Sequence, residues 1–274
     1  MFVDLTLENL AEETLCCIIR TKKPHPGVEA KRQWLAERLK EGHVFRKLEG
    51  RATVFIEYAP LEKAWTPIVG ENYFYVYCLW TEGENRGKGY GKALLESCLA
   101  DARAQGKSGV CLLGAARQKA WLTDQAFFRH FGFETVETTP NGYELLALSF
   151  DGSKPHFAPE VFRMEIDTPE LTVYYDDQCP FIRQTLEKLR RYCAEAGEPL
   201  NLRHVDSLAM AKNLPCVFNN WAAFYDGKCV TVNLADGASF IVEKPVERSA
   251  AVEARDIRAV LLDVMEDMAG RLKG

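Results

Sequence analysis

Arg86-Gly87-Lys88-Gly89-Tyr90-Gly91-Lys92 is the stretch on which the reading of this chain turns. A Tyr/Phe/Val-rich run at 73–80 precedes it, and Leu94, Leu95, Cys98 and Leu99 follow at helical spacing, so it lies between a strand and a helix. Three glycines in five positions let the backbone come close to a ligand and turn several N–H groups toward one point. The positive end of the helix dipole adds to them, so the loop is a cradle for a phosphate or diphosphate. Two common phosphate loops are excluded residue by residue. A Walker A loop needs Gly-x-x-x-x-Gly-Lys-Ser/Thr, but Gly87 and Gly91 enclose three residues and Ala93 stands where a hydroxyl must hold magnesium. The dinucleotide fingerprint Gly-x-Gly-x-x-Gly starts at Gly87 and Gly89 but meets Lys92 at its third glycine.

In the pattern Arg/Gln-x-x-Gly-x-Gly/Ala, Arg86 to Gly91 resembles the acetyl-CoA signature of the GNAT acyltransferases. Leu79-Trp80-Thr81 looks like the end of that family's splayed strand, whose free backbone groups hold the pantetheine arm. Phe128-Arg129-His130-Phe131-Gly132-Phe133 is similar to the family's Tyr-x-x-x-Gly-Phe, where a helix turns into a strand. The resemblance covers 1–149 and implies acetyl-CoA as cofactor, bound by Leu79, Trp80, Thr81, Arg86, Gly87, Lys88, Gly89, Tyr90, Gly91 and Lys92. It also implies the backbone N–H of Leu79 as oxyanion donor. The stripe Trp121, Phe127, Phe128, Phe131 and Phe133 reads mainly as core, with Phe128 also expected to line the cofactor channel.

At 274 residues the chain is long for one such domain, and a second unit is expected. Composition is that of a globular protein, 47% apolar and 27% charged. No run of about 18 apolar residues occurs, and Met1-Phe2-Val3-Asp4 lacks the basic start of a signal peptide. A cytoplasmic protein without a membrane partner is therefore expected. Residues 1–150 carry 19 Lys/Arg and 19 Asp/Glu, the remainder 15 and 20, so neither half has the basic excess of a nucleic-acid binder. The nine cysteines are odd in number and mostly embedded in apolar runs, which indicates reduced thiols. They show no zinc spacing, and no metal is expected.

The pattern predicts strands at 2–5, 43–48, 52–58 and 73–81, helices at 8–19, 31–40 and 91–104, a loop at 21–28, a strand at 109–113, a helix at 122–131 and a hairpin of 134–138 with 143–149. From 151 to 170 the periodicity lapses and Pro155, Pro159 and Pro169 indicate a linker. Beyond it come a strand at 171–175, Cys179-Pro180-Phe181, a helix at 182–196, a strand at 200–205, a short helix, two strands about Asp226-Gly227, and a closing helix at 257–272. That order resembles a thioredoxin-like fold, and the whole chain resembles bacterial GNAT proteins with a YoaP-like C-terminal domain. The fold class expected is α/β (α+β): a GNAT domain with a mixed sheet at 1–150, a linker at 151–170, and a smaller thioredoxin-like domain at 171–274.

In such acyltransferases the acceptor amine attacks the thioester directly, so reactants must be aligned and the oxyanion met by a donor. An amine protonated in solution needs a base, and Glu57 is the candidate; the alternative is a solvated or salt-bridged carboxylate. Phe128 departs from the family, whose usual general acid at this position is a tyrosine, and it has no proton to donate. Cys179 takes the place of a thioredoxin first cysteine at a helix start, where the dipole lowers a thiol pKa, but Ile182 replaces the resolving cysteine. A monothiol remains, or a pair with Cys216 beside Pro215, itself a candidate cis-proline; the plain alternative is an interaction module with an inert cysteine. The five histidines are scattered and read as surface or packing residues. Two functions are carried forward: transfer of acetyl from acetyl-CoA to the primary amine of a small molecule or peptide, and a CoA-binding sensor or adaptor with a monothiol module. A homodimer is left open.

Overall fold

The computed structural model describes residues 1–17, 25–81, 83–117, 119 and 122–232. Seven strands form the first sheet: β1 (Phe2–Asp4), β2 (Val44–Leu48), β3 (Val54–Pro60), β5 (Tyr73–Thr81), β6 (Gly109–Ala115), β7 (Glu134–Thr138) and β8 (Tyr143–Ser149). Their order is β1-β2-β3-β5-β6-β8-β7, and every neighbour is antiparallel except β5 with β6. On β3, Val54, Ile56 and Tyr58 face α2 (Tyr90–Ala104), whose Leu94, Leu95 and Cys98 complete one apolar layer. Phe55 and Ala59 face the other way, toward α1 (Pro26–Leu39) and the rest of the chain. Strand β3 is thus covered on both faces, which is why its run is nearly unbroken in apolar character.

Two helix predictions are corrected. Residues 8–17 turn without forming a helix. Thr6 and Asn9 exchange side-chain bonds with each other's backbone N–H, at 2.8 and 3.3 Å, and Asn9 Nδ2 also donates to Asp4 O. These bonds cap the first turn, and Lys47 Nζ draws Glu13 to the sheet at 2.7 Å, a tertiary contact outside the helical pattern. Helix α1 starts at Pro26, inside the segment expected as a loop, because proline suits the first helical position and His25 Nδ1 accepts from Gly27 N–H.

Residues 151–170 connect the units but are themselves packed. There β9 (His156–Phe157) pairs with β4 (Ile68–Val69), and Phe157, Ala158 and Val161 are buried. The second sheet holds β10 (Leu171–Tyr175), β11 (Leu200–His204), β12 (Trp221–Tyr225) and β13 (Lys228–Thr231) in the order β11-β10-β12-β13. Strands β10 and β11 are parallel, joined through α4 (Phe181–Ala196), and β12 and β13 run antiparallel after the short α5 (Leu208–Lys212). Ile182, Leu186 and Leu189 of α4 pack on Val173 and Trp221. The opposite face, with Phe218 and Phe224, joins the core of the first unit.

Polar bonds fix this docking. Thr66 Oγ1 donates to Phe218 O at 2.7 Å, Tyr75 OH to Asn219 Oδ1 at 2.7 Å, and Lys212 Nζ to Leu61 O and Ile68 O at 2.7 and 2.8 Å. Gly27 lies so close to the start of α4 that a Cβ on it would sit 1.8 Å from Pro180 O. The described residues contain no cis peptide bond, so Pro215 is trans and the cis-proline expectation is corrected. Their helices include none long and apolar enough to cross a membrane. The closing helix expected at 257–272 lies outside the described residues.

Candidate active site

Strands β5 and β6 pair only through Tyr73↔Gly109, Phe74↔Val110 and Tyr75↔Cys111. Beyond Tyr75 they part: β5 runs on to Thr81 bonded to β3, and β6 to Ala115 bonded to β8. The split leaves a row of β5 backbone groups without a strand on that side, and β5 becomes partly exposed from Cys78 onward. Leu79, Trp80 and Thr81 occupy this end. The exposed Arg86 to Gly89 loop follows, with Gly87 and Gly89 at φ 76° and 79°, a left-handed backbone that glycine adopts without strain. Helix α2 begins at Tyr90 with Gly89 as its cap and no side-chain cap bond, so its first N–H groups are open to an outside acceptor. A Cβ on Gly91 would touch Thr81 and Phe127 at 3.6 and 3.7 Å, which brings strand end, loop and α3 (Gln125–His130) to one place. A linear arm along the split and a diphosphate at the uncapped turn both fit these residues.

Helix α3 turns Phe127, not Phe128, toward this loop. Phe128 is fully buried against Phe133, ring centroids 5.0 Å apart, because successive helical residues lie about 100° apart and its side faces the sheet. The expected channel-lining role of Phe128 is therefore corrected in favour of Phe127.

Glu57 neither faces solvent nor stands alone. It is wholly buried: Oε2 accepts from Lys31 Nζ at 2.7 Å and from Gln178 Nε2 at 2.9 Å, and Oε1 lies 3.0 Å from His43 Nε2. Burial by itself would raise the Glu57 carboxyl, but the Lys31 charge and the His43 bond outweigh it and hold it below the usual carboxylate range. Burial pulls Lys31 down, and Glu57 more than restores it. Burial lowers His43 despite Glu57, so its imidazole is neutral at pH 7. His43 packs against Tyr77 and Trp34, with centroids 5.1 and 5.4 Å away. So tightly held a charge is a weak proton acceptor.

The second unit reaches this network from above. Asn220 Nδ2 donates to Gln178 Oε1 at 3.0 Å, which aims the Gln178 amide at Glu57. Asp177 takes Arg183 in a two-pronged bond, at 2.6 and 2.7 Å, with His204 Nε2 3.1 Å away, and fixes the start of α4. Cys179 lies among Cys16, Cys17, Lys31 and Asp176. Burial pushes its thiol up to about 12, outweighing the Phe181 N–H bond that favours the thiolate. The lowered pKa expected from the helix start is thus corrected: desolvation exceeds the dipole. The Cys216 thiol hydrogen-bonds with the free thiol of Cys229 on β13, not with Cys179.

The structure therefore brings Leu79, Trp80, Thr81 and the 86–92 loop together at the split, and sets Glu57 on the neighbouring strand, opposite Cys78. Lys31, His43, Asp176 and Gln178 escaped the sequence reading. Lys31 left one trace, a cation on the same helix face as Trp34 and Leu35, three and four positions on.

Residues 40–135 match the acetyltransferase (GNAT) domain family and 199–241 the YoaP-like family. The chain is 34% identical over 232 residues to the uncharacterized N-acetyltransferase YoaP of Bacillus subtilis (strain 168), covering 84% of this chain and 92% of that protein. Among solved structures, it is similar to an acetyltransferase of the GNAT family from Desulfovibrio desulfuricans, at 16% identity and TM-score 0.41 over 54% of this chain and 98% of that one. A second is a GNAT family acetyltransferase from Brucella melitensis in complex with acetyl-CoA, at 15% identity and TM-score 0.37 over 57% and 92%. On its 34% identity to YoaP across 84% of this chain and 92% of that protein, this protein belongs to the YoaP family of GNAT acetyltransferases.

Proposed function

We propose that this protein transfers the acetyl group of acetyl-CoA to the primary amine of a small molecule or peptide, by direct attack with both reactants bound. The observation that carries the reading is the split between β5 and β6 opening into the uncapped glycine turn before α2. Acetyl-CoA supplies the activated acyl group. Leu79, Trp80 and Thr81 would hold its pantetheine arm, and Arg86, Gly87, Lys88, Gly89, Tyr90, Gly91 and Lys92 its diphosphate, with the Leu79 N–H as oxyanion donor. Glu57, bound to Lys31, His43 and Gln178, orients the acceptor side of the pocket. Phe127 and Phe128 offer no acid, so the thiolate, a fairly good leaving group, departs unaided or takes its proton from solvent.

We read the second unit as thioredoxin-like, from its β10-α4-β11 crossover followed by antiparallel β12 and β13. The buried, high-pKa Cys179 favours a wall of the acceptor pocket over a redox module. All nine cysteines are free, in keeping with a reducing cytoplasm. Calorimetry with acetyl-CoA tests the reading. Binding that is lost on Gly89→Glu supports it, since the new carboxylate meets the diphosphate at the turn; no binding, or binding indifferent to Gly89→Glu, refutes it.

A further inference from the structure

The second unit brings to the seam one carboxylate that this scheme leaves unused. Asp176 follows β10 directly and is fully buried. Its Oδ1 accepts the Gln178 N–H at 2.9 Å, while its Oδ2 has no hydrogen-bond partner among the described residues. Leaving a buried carboxylate oxygen unsatisfied is costly, and a group retained at such cost calls for a ligand. The groups acting on it come from each element packed there: Glu57 on β3, Lys31 on α1, Tyr75 and Tyr77 on β5, Asp177 beside it and Cys179 before α4. Lys31 is the one cation among them, and its ammonium is committed to Glu57. Were both carboxylates ionised, they would share one positive charge. In the free protein burial resolves this by pushing Asp176 well above the usual carboxylate range, so that it keeps its proton to higher pH than Glu57.

We infer that Asp176 is a catalytic residue contributed by the second unit: its Oδ2 receives the ammonium of the acceptor at the seam and removes one proton. The inference rests on the acyltransferase reading above. The docking ammonium favours the ionised form of Asp176, which releases its own proton to solvent; the carboxylate then takes a proton from R–NH3⁺, giving R–NH2 and the carboxylic acid. The amine then attacks the acetyl carbonyl; the C–N bond forms, the C–S bond breaks, the second amine proton leaves to solvent, and the CoA thiolate takes its proton from solvent. Asp176 returns its proton to solvent. The acceptor class is a cationic primary amine, whose charge balances Asp176 once it is ionised.

Asp176→Asn keeps the shape and removes the charge. The probe is CoA release from acetyl-CoA with whichever primary amine of a mono- and polyamine library the wild type uses fastest. In the variant kcat falls by about 10²-fold or more, the acid limb of the wild-type pH profile disappears, and acetyl-CoA affinity by calorimetry is unchanged. The variant also melts above the wild type at pH 8 and level with it near pH 4. The sign follows from linkage: an acid whose pKa is raised by folding costs stability as pH rises, and asparagine has no proton to lose. A kcat within threefold of wild type, a retained acid limb, or a lower melting temperature at pH 8 overturns Asp176 and leaves the acyltransferase reading standing. A wild type that neither binds acetyl-CoA nor releases CoA overturns both.

Discussion

Lys31→Met removes the ammonium that sits 2.7 Å from Glu57 Oε2 while leaving the carboxylate in place. Both side chains are almost wholly buried, at 3% and 0% exposure, so water cannot take over the role of the lost partner. Breaking a buried pair from one side costs about 3–5 kcal/mol, because an uncompensated charge remains. With a urea dependence of about 3 kcal/mol/M for a chain of this size, the unfolding midpoint drops by about 1–2 M. The companion variant Lys31→Met with Glu57→Gln removes both charges and recovers most of that loss. The pH dependence follows from the two shifts. Glu57 is lowered, so its contribution is present above its ordinary 4.5 and is lost as pH falls through the folded value. Lys31 is raised, so its contribution is present below its ordinary 10.5 and is lost as pH rises through the folded value. Wild-type stability from the pair is therefore level between those limits. A single variant that loses less than about 1 kcal/mol, or a double variant no more stable than the single, refutes this account.

Gly27→Ala drives a methyl group into Pro180 O; it destabilises the protein by about 1–3 kcal/mol and exposes the α1–α4 contact to limited proteolysis, read by mass spectrometry. Cys179, with a thiol near 12, reacts with iodoacetamide at pH 7.5 far more slowly than a free thiol, and Cys179→Ser leaves acetyl transfer within about threefold of wild type; a fast alkylation rate that Cys179→Ser removes counts against the buried assignment.

The glycine turn, the preceding strand and the helix after it were legible because each is a local device: glycine freedom, alternation and helical spacing act within a few residues. The hairpin 134–138 with 143–149 was read at its true bounds, since the Asn141-Gly142 turn marks it in the chain itself. The helix expected at 8–19 is replaced by turns over 8–17 although Thr6 and Asn9 cap its start; the bond from Lys47 on β2 to Glu13 is a tertiary contact that helical spacing does not register.

The site divides the same way. By itself the sequence determined the strand end and glycine turn proposed to hold the cofactor, Leu79 to Thr81 and Arg86 to Lys92, since loop and strand end are neighbours along the chain. Tertiary structure alone decided what surrounds Glu57 at the end proposed for the acceptor: Lys31 from α1, His43 just before β2, and Asp176 and Gln178 from the β10–α4 turn, with Gln178 meeting Glu57 across 121 positions. Each of these four is an ordinary polar residue in sequence. Their burial together, which fixes their protonation and their charge balance, exists only once the second unit closes over the first.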